Sequence, residues 1–340
     1  MTLEKFSIMS FGITLGLGGY ALVLGNFFPQ ITQLVVWIEI LLFFIFSLIY
    51  LGKIIVHPGI VKKEVTDPIV GNFYALQPIS AVIVAILAWN SPQFSIGEFQ
   101  LYFPFWLSQG LLLYGAVLIF SLTVFLEYHF IANIDVNMSY INGGWFIPPV
   151  ANILITIGIL FYPLSQLSLI TSLFFLGIGS MLFFIILTIL FLRLILHPLH
   201  SSGLAPTNYI ILGPIGILIV DILDITKYLD LMFHVNYMPL ALATGVELWG
   251  FGVLFLIINL LIFGKYLANG LRYGINWWAY IFPTDALTLA TVKLSVKFTS
   301  LYWISSVLFI YLTIFLIITT IATICIPCFS AKDPKKGISS

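Results

Sequence analysis

Apolar runs about as long as a lipid bilayer is thick recur along this chain, and few folds accommodate them. A helix needs about 20 apolar residues to cross the hydrocarbon core. Ten segments meet this criterion, at 6–28, 31–53, 69–89, 104–127, 144–162, 168–193, 208–227, 246–266, 277–298 and 301–326. Because each run far exceeds the ten or so residues of a membrane β-strand, the runs predict transmembrane helices.

Composition supports the same class of protein. Hydrophobic residues make up 61% of the chain and charged residues only 8%, whereas soluble domains contain about 25% charged residues. The formal net charge is +0 and no basic stripe occurs, which argues against nucleic acid as a partner. The sequence therefore predicts one all-α polytopic membrane domain over residues 1–340, in contact with lipid, with a short tail at 327–340.

The distribution of lysine and arginine predicts the orientation in the membrane. Of the 13 basic residues, ten fall at the ends of the chain or in loops that join an even span to the next odd span. Only Lys227, Lys293 and Lys297 fall on the other side. Because basic residues concentrate on the cytoplasmic side, we expect both termini in the cytoplasm of a multi-pass protein of the cell membrane.

The prolines reveal an internal repeat. Pro78, Pro149, Pro214 and Pro283 lie in spans three, five, seven and nine, at intervals of 65 to 71 residues. One further step toward the N-terminus leads to the glycine-rich first span, where Gly12 takes the place of the proline. The even spans contain no interior proline before Pro327. The repeat predicts five helical hairpins.

This repeat has a physical interpretation. An interior proline removes a backbone hydrogen bond at a cost of about 3 kcal/mol, and lipid cannot satisfy the freed carbonyl group. The five kinked helices are therefore predicted to form an inner ring around a central pore, with five unbroken outer helices against lipid. The alternative is that the prolines bend helices for packing alone, but their regular spacing in alternate spans favours the ring.

Four sequence stretches resemble those of a known family. They are FGITLGLGGYAL (11–22), GGWFIPPVANI (143–153), APTNYIILGPIG (205–216) and WWAYIFPTDALTLAT (277–291). They resemble the tellurite-resistance and C4-dicarboxylate (malic acid) transporter family, which includes the bacterial tellurite-resistance membrane protein and the slow-type plant anion channels. The resemblance implies a homotrimer in which each subunit conducts small anions through its own pore.

The same resemblance implies a phenylalanine gate. The Phe-Pro pair of the ninth-helix motif falls on Phe282 and Pro283, so Phe282 is the predicted plug of the pore. The stretch NFYALQP (72–78) is similar to the third-helix segment that supplies a second phenylalanine in the plant channels. That second gate residue would be Phe73.

Two lysines in the ninth span share a helix face with the predicted plug. Phe282, Leu289 and Lys293 recur at helical spacing, so Lys293 would face the axis roughly 16 Å beyond Phe282 at a rise of about 1.5 Å per residue. Lys297 would join it and concentrate anions at the non-cytoplasmic mouth. The alternative is that both side chains simply extend from the helix end into the polar interface.

Acidic residues inside spans need an explanation. Asp285 lies three residues after Phe282, where an ionised carboxylate would repel a permeant anion. It could point away from the axis in a hydrogen-bonded structural role, which we favour, or be protonated, or bind a cotransported proton. Glu39 poses a smaller version of this problem. Asp221 and Asp224 lie near a predicted span end, where we expect water to reach them.

Uncharged polar residues near the kinks are candidate hydrogen-bond donors for an anion. The positive ends of the broken helices add backbone donors there. The side chains are Asn72, Asn152, Thr207, Asn208 and Thr284. The simpler interpretation, which we favour, is that these side chains satisfy carbonyl groups freed by the kinks.

The function that these observations favour is transport of small anions, without a cofactor. The runner-up is a proton-coupled malate or C4-dicarboxylate carrier, or a sulfite or tellurite exporter; an intramembrane enzyme or sensor is a distant alternative. No hydrolase or metalloprotease motif occurs. His197 and His200 lack a third ligand at zinc spacing, and Cys325 and Cys328 are interpreted as packing residues.

Overall fold

The computed structural model describes residues 3–89, 93–96, 99–132, 136–161, 163 and 165–325. Most of these residues are helical. The helices are α1 (Phe11–Leu24), α2 (Pro29–Val56), α3 (Pro58–Val65), α4 (Leu76–Trp89), α5 (Phe105–Ala132), α6 (Ile147–Leu160), α7 (Gln166–Leu196), α8 (Leu212–Phe233), α9 (Met238–Ala268), α10 (Ile281–Ser295) and α11 (Leu301–Cys325). Two short strands, β1 (Gln93–Ile96) and β2 (Phe99–Tyr102), form an antiparallel hairpin between α4 and α5.

Eight helical segments among the described residues are long and apolar enough to cross a membrane. They correspond to the second to eighth and the tenth predicted spans. The apolar helix Ile8–Leu24 is shorter than these eight. The segment around α10 is the least apolar because it contains Asp285, Lys293 and three threonines. The first and ninth spans therefore stay predictions, and so do the kinks.

Several element boundaries differ from the sequence-based expectation. Helix α9 begins at Met238, eight residues before the predicted start at 246, because Pro239 suits the first turn of a helix. Helix α8 continues to Phe233 and ends at His234, which has a φ of 54°. Helix α3 and the β-hairpin were not predicted, since neither is a long apolar run.

The five helices that belong to odd-numbered spans begin in the same way. Each is preceded directly by a 3₁₀ segment, namely Ile8–Ser10, Gly71–Ala75, Gly143–Phe146, Ala205–Ile211 and Ile275–Tyr280. The four repeat prolines are each the third residue of the α-helix that follows. Near a helix start the N–H group that proline lacks would have no intrahelical partner anyway. The proline spacing thus sets where each 3₁₀ segment gives way to α-helix.

Helix contacts form a closed ring. Helix α1 packs on α4, α4 on α6, α6 on α8, α8 on α10, and α10 on α1 again. We call α1, α4, α6, α8 and α10 the inner ring. Each of the helices α2, α5, α7, α9 and α11 packs on the inner helix that precedes it, and we call these the outer helices.

Burial separates the two sets of helices. In the spans that contain α4, α6 and α8, between 89% and 94% of an 18-residue stretch is buried inside the protein. In all five outer helices the corresponding share is only 22% to 28%, although these helices are the more apolar set. Exposed apolar side chains of this kind are stable against lipid and unfavourable against water. The outer helices therefore present the lipid-compatible surface.

Candidate functional site

The N-terminal parts of the inner helices and their 3₁₀ segments surround a cavity. About 40 Å³ of its volume is accessible to the centre of a water molecule, which is room for roughly three waters. Every inner helix contributes to the wall, either directly or through its 3₁₀ segment. The lining residues are Met9, Gly12, Leu15, Phe73, Leu76, Ile147, Val150, Ile210, Ile275, Asn276, Trp278, Ala279, Phe282 and Pro283.

Phe282 lies in the wall of this cavity. It is the second residue of α10, directly before Pro283, and the residue as a whole is 5% exposed. The ring also packs close to α8, since a Cβ atom added to Gly213 would lie 3.7 Å from the Phe282 Cε1 atom, an ordinary van der Waals distance. The aromatic ring therefore lies in the cavity wall beside the start of α8.

Phe73 lines the same cavity from the 3₁₀ segment before α4. Its ring lies against Gly144, where an added Cβ atom would be 2.6 Å from the Phe73 Cε2 atom. Any larger residue at position 144 would displace the ring. The two phenylalanines predicted as gates are thus brought together by the fold, while their gating role stays a prediction.

The five repeat residues divide into two groups. Gly12 and Pro283 form part of the cavity wall, whereas Pro78, Pro149 and Pro214 are buried without lining it. Neighbouring residues line the cavity instead, such as Val150 next to Pro149. Because successive residues of a helix point about 100° apart, a proline can set the helix start while the residue beside it faces the axis.

Asp285 lies in the contact between α10 and α1. Its side chain is buried, and a Cβ atom added to Gly19 would lie 2.5 Å from the Asp285 Oδ2 atom. Neither carboxylate oxygen has a hydrogen-bond partner among the described residues. The hydrogen bonds expected for a structural role are therefore absent from the described part of the chain. Glu39 of α2 is also buried, and its carboxylate oxygens have no hydrogen-bond partner among the described residues.

The expectation that water reaches Asp221 is wrong. Asp221 is 0% exposed, and neither of its oxygens has a described hydrogen-bond partner. The reason is the length of α8, which continues to Phe233 and so places Asp221 more than three turns before the helix end at about 3.6 residues per turn. Asp224 retains a side-chain exposure of 18%.

Acidic and basic side chains form ion pairs near the C-terminal ends of α8 and α10. Asp224 accepts a hydrogen bond from the Lys227 ammonium group at 2.8 Å and a second one from the Lys293 ammonium group. Lys293 on α10 thus has its charge matched by a carboxylate on α8. Lys297 is exposed, beyond the end of α10. Attraction of anions by Lys293 and Lys297 stays a prediction, and the Asp224 carboxylate would weaken it.

Three of the five uncharged candidates satisfy backbone carbonyl groups. The Asn152 Nδ2 atom donates to the Pro148 carbonyl at 2.9 Å, the Thr207 Oγ1 atom to Leu204 at 2.7 Å, and the Thr284 Oγ1 atom to Tyr280 at 2.6 Å. None of these carbonyl groups lies four residues before a repeat proline, so the release of carbonyl groups by the kinks stays a prediction. Asn72 and Asn208 are buried, and their Nδ2 atoms have no hydrogen-bond partner among the described residues.

A second repeat accompanies the prolines and was missed in the sequence. An asparagine occurs six or seven residues before each proline, at Asn72, Asn142, Asn208 and Asn276. Asn142 caps its 3₁₀ segment by accepting a hydrogen bond from the Gly144 N–H group at 2.8 Å, and Asn276 lines the cavity. The nearly constant distance from each proline would have revealed this set in the sequence. In the structure each asparagine lies in or directly before its 3₁₀ segment.

His200, one of the two paired histidines, contacts a backbone carbonyl group. The His200 Nε2 atom lies 2.8 Å from the Ile141 carbonyl oxygen, to which it donates as a neutral ring. Burial, reinforced by the nearby Arg193 charge, lowers the pKa of His200 to about 4. No group of three His, Cys, Asp or Glu side chains in the described ranges could hold a metal ion. Cys325 is exposed, and Cys328 lies outside the described residues.

Comparison with known proteins gives two results. Residues 5–324 match the family described as voltage-dependent anion channel. Two uncharacterized transporters of Methanocaldococcus jannaschii are similar over nearly their whole length. One is 29% identical, with 95% of each chain covered, and the other is 28% identical, with 94% of this chain and 93% of the relative covered.

Proposed function

Since the chain belongs to the voltage-dependent anion channel family, we propose that it conducts small anions through a pore inside each subunit. The same membership identifies a multi-pass membrane transporter or channel and not an enzyme. Phe282 and Phe73 occlude the pore in this proposal. The observation that carries it is the closed inner ring around a cavity that both phenylalanine rings line.

The proposed membrane arrangement has ten spans. Each inner helix with its 3₁₀ segment crosses the bilayer, and the outer helix that follows crosses back, which gives five hairpins. Support comes from the contacts of each outer helix with the preceding inner helix and from the exposed apolar surface of the outer helices. We place the protein in the cell membrane with both termini in the cytoplasm, following the lysine and arginine distribution, as a homotrimer.

The composition of the cavity wall supports a channel for small monovalent anions. Among the described lining residues, Asn276 is the one whose side chain has an amide, hydroxyl or charged group, and Trp278 adds one indole N–H group, which donates to the Thr323 hydroxyl at 3.0 Å. An anion that enters must lose most of its hydration, and the wall offers it few donors in return. Weak binding of this kind permits rapid exit. A doubly charged dicarboxylate would have a much larger dehydration cost.

A proton-coupled carrier of dicarboxylates, or an exporter of sulfite or tellurite, is the second candidate. The observation that favours coupling is Asp285, a buried carboxyl group without a described hydrogen-bond partner, located two residues after Pro283 of the cavity wall. The substitution Asp285→Asn separates the two mechanisms. A channel should retain anion flux that does not depend on a proton gradient, whereas a carrier should lose proton-driven accumulation.

Anion flux into liposomes tests the proposal. Purified protein is reconstituted, and reversal potentials are measured for chloride, nitrate, malate and sulfite, with protein-free liposomes as the control. We expect reversal potentials that follow the gradient of a monovalent anion. The pore would be refuted if neither the wild type nor the Phe282→Ala variant carried current with any of the four anions.

A further inference from the structure

A buried lysine ties the N-terminal segment to the end of the first outer helix. Lys53 of α2 has a side chain that is only 1% exposed. Its ammonium group donates to the Phe6 carbonyl oxygen at 2.9 Å and to both carboxylate oxygens of Glu64 on α3, at 2.8 and 2.9 Å. A buried ammonium group needs a carboxylate partner to offset its desolvation. Glu64 therefore holds α3 in place beside α2.

Glu64 also binds the segment that carries one predicted gate residue. The Tyr74 hydroxyl donates to the Glu64 Oε2 atom at 2.8 Å. Tyr74 follows Phe73 directly in the 3₁₀ segment Gly71–Ala75. The carboxylate thus joins α2 through Lys53 to the residue next to Phe73. We call Lys53, Glu64 and Tyr74 the clasp.

The connection between α3 and the 3₁₀ segment reinforces this link. The Gly71 N–H group donates to the Asp67 carbonyl oxygen at 2.7 Å, and a Cβ atom added to Gly71 would lie 2.5 Å from the Val65 carbonyl oxygen. The indole N–H group of Trp145 donates to the Pro68 carbonyl oxygen at 3.1 Å. The chain from α3 to Phe73 is therefore folded closely on itself and is bound from outside by Trp145.

We propose that Lys53, Glu64 and Tyr74 are positioning residues for the Phe73 gate, an inference that rests on the proposed pore. A 3₁₀ segment is a short element with poorer hydrogen-bond geometry than an α-helix, so its position depends on contacts from outside. The clasp supplies a charge-assisted contact one residue away from Phe73. When the Tyr74–Glu64 hydrogen bond is broken, the segment moves and the Phe73 ring leaves the cavity wall more often.

Anion conductance of tyrosine and phenylalanine variants tests this role. Tyr74→Phe removes the hydroxyl and keeps the ring, and we expect about a tenfold rise in conductance, the factor that corresponds to ~1.4 kcal/mol. The matched control is Tyr114→Phe, which removes a hydroxyl that donates to the Gln77 Oε1 atom at the same distance of 2.8 Å. This control should behave like the wild type.

Epistasis separates positioning from a general effect on the fold. In a Phe73→Ala background the gate ring is already gone, so Tyr74→Phe should raise conductance no further. Equal rises in both backgrounds would overturn the proposal. The proposal would also be overturned if Tyr74→Phe had the same conductance as the wild type while Phe282→Ala carried current. In that case the proposed pore would still stand. Absence of current in every variant would instead refute the proposed pore, and the clasp with it.

Hydrogen exchange of the backbone amides gives a readout independent of current. The amides of residues 71–75 should exchange about fivefold faster in Tyr74→Phe and in Glu64→Gln than in the wild type, because the 3₁₀ segment opens more often. Tyr114→Phe should leave this exchange unchanged. Unchanged exchange in both clasp variants would refute the role of the clasp, whatever their conductance.

Discussion

Removal of the Phe282 ring is the sharpest perturbation of the proposed pore. Phe282 is 5% exposed as a residue, and full burial of a phenylalanine side chain is worth about 1.5–3 kcal/mol. If that free energy stabilises the occluded arrangement, its loss in Phe282→Ala raises the conducting population about 10- to 100-fold, at about 1.4 kcal/mol per tenfold change. Single-protein conductance in planar bilayers measures this rise.

The control for this substitution is Phe43→Ala. Phe43 of α2 is also buried, packs with Phe11 and Phe44, and does not line the cavity. Each truncation should destabilise the fold by about 3–5 kcal/mol, so both variants are checked for monodispersity by size-exclusion chromatography. A folded Phe282→Ala protein whose conductance equals that of Phe43→Ala, or lies below it, would show that the ring does not block the path.

Three further predictions concern packing, pH and charge. Gly216→Ala places a Cβ atom 2.5 Å from an α10 carbonyl oxygen and should cost about 3 kcal/mol of stability, measured as a fall in thermal midpoint. At Gly250 an added Cβ atom would have no described atom within 4 Å beyond its chain neighbours and the nearby helix backbone, so Gly250→Ala should not destabilise. His200 has a pKa of about 4 in the folded protein against about 6.5 unfolded, so the unfolded state binds more protons as the pH falls from 6.5 toward 4. Stability should therefore drop by about 2 kcal/mol between pH 7.5 and 5, and a flat profile of unfolding against pH would contradict this. Asp224→Asn leaves the Lys293 charge unmatched and should raise anion flux up to about fivefold at low ionic strength; a gain that persists in high salt would argue against an electrostatic cause.

Sequence reasoning was accurate where local pattern decides the outcome. Apolar runs of sufficient length located helices in the second to eighth and the tenth predicted spans, because in lipid a backbone must satisfy its own hydrogen bonds. The proline interval picked out α4, α6, α8 and α10 as one repeated set, although the prolines lie in the first helical turn, which suits them, and the interior kinks stay a prediction. The motifs placed the chain in its family.

The same reasoning was weaker at polar residues inside the helices. Asp221 was expected to be hydrated because an apolar run suggested an early helix end, but α8 continues through the polar residues up to Phe233. Asp285 was expected to have hydrogen-bond partners that the described residues do not supply. Hydropathy sets where a segment enters lipid and says little about which neighbour its polar side chains meet.

The sequence by itself determined that this is a multi-pass helical membrane protein, and where most of its helices lie, because helix length, hydropathy and proline position act within one segment. Only the tertiary structure decided which residues share the cavity and which charges pair. The Lys293–Asp224 and Tyr114–Gln77 contacts join residues 69 and 37 positions apart, and the clasp joins Phe6, Lys53, Glu64 and Tyr74. Such pairs depend on the rotation and depth of whole helices, which are set when the inner ring closes.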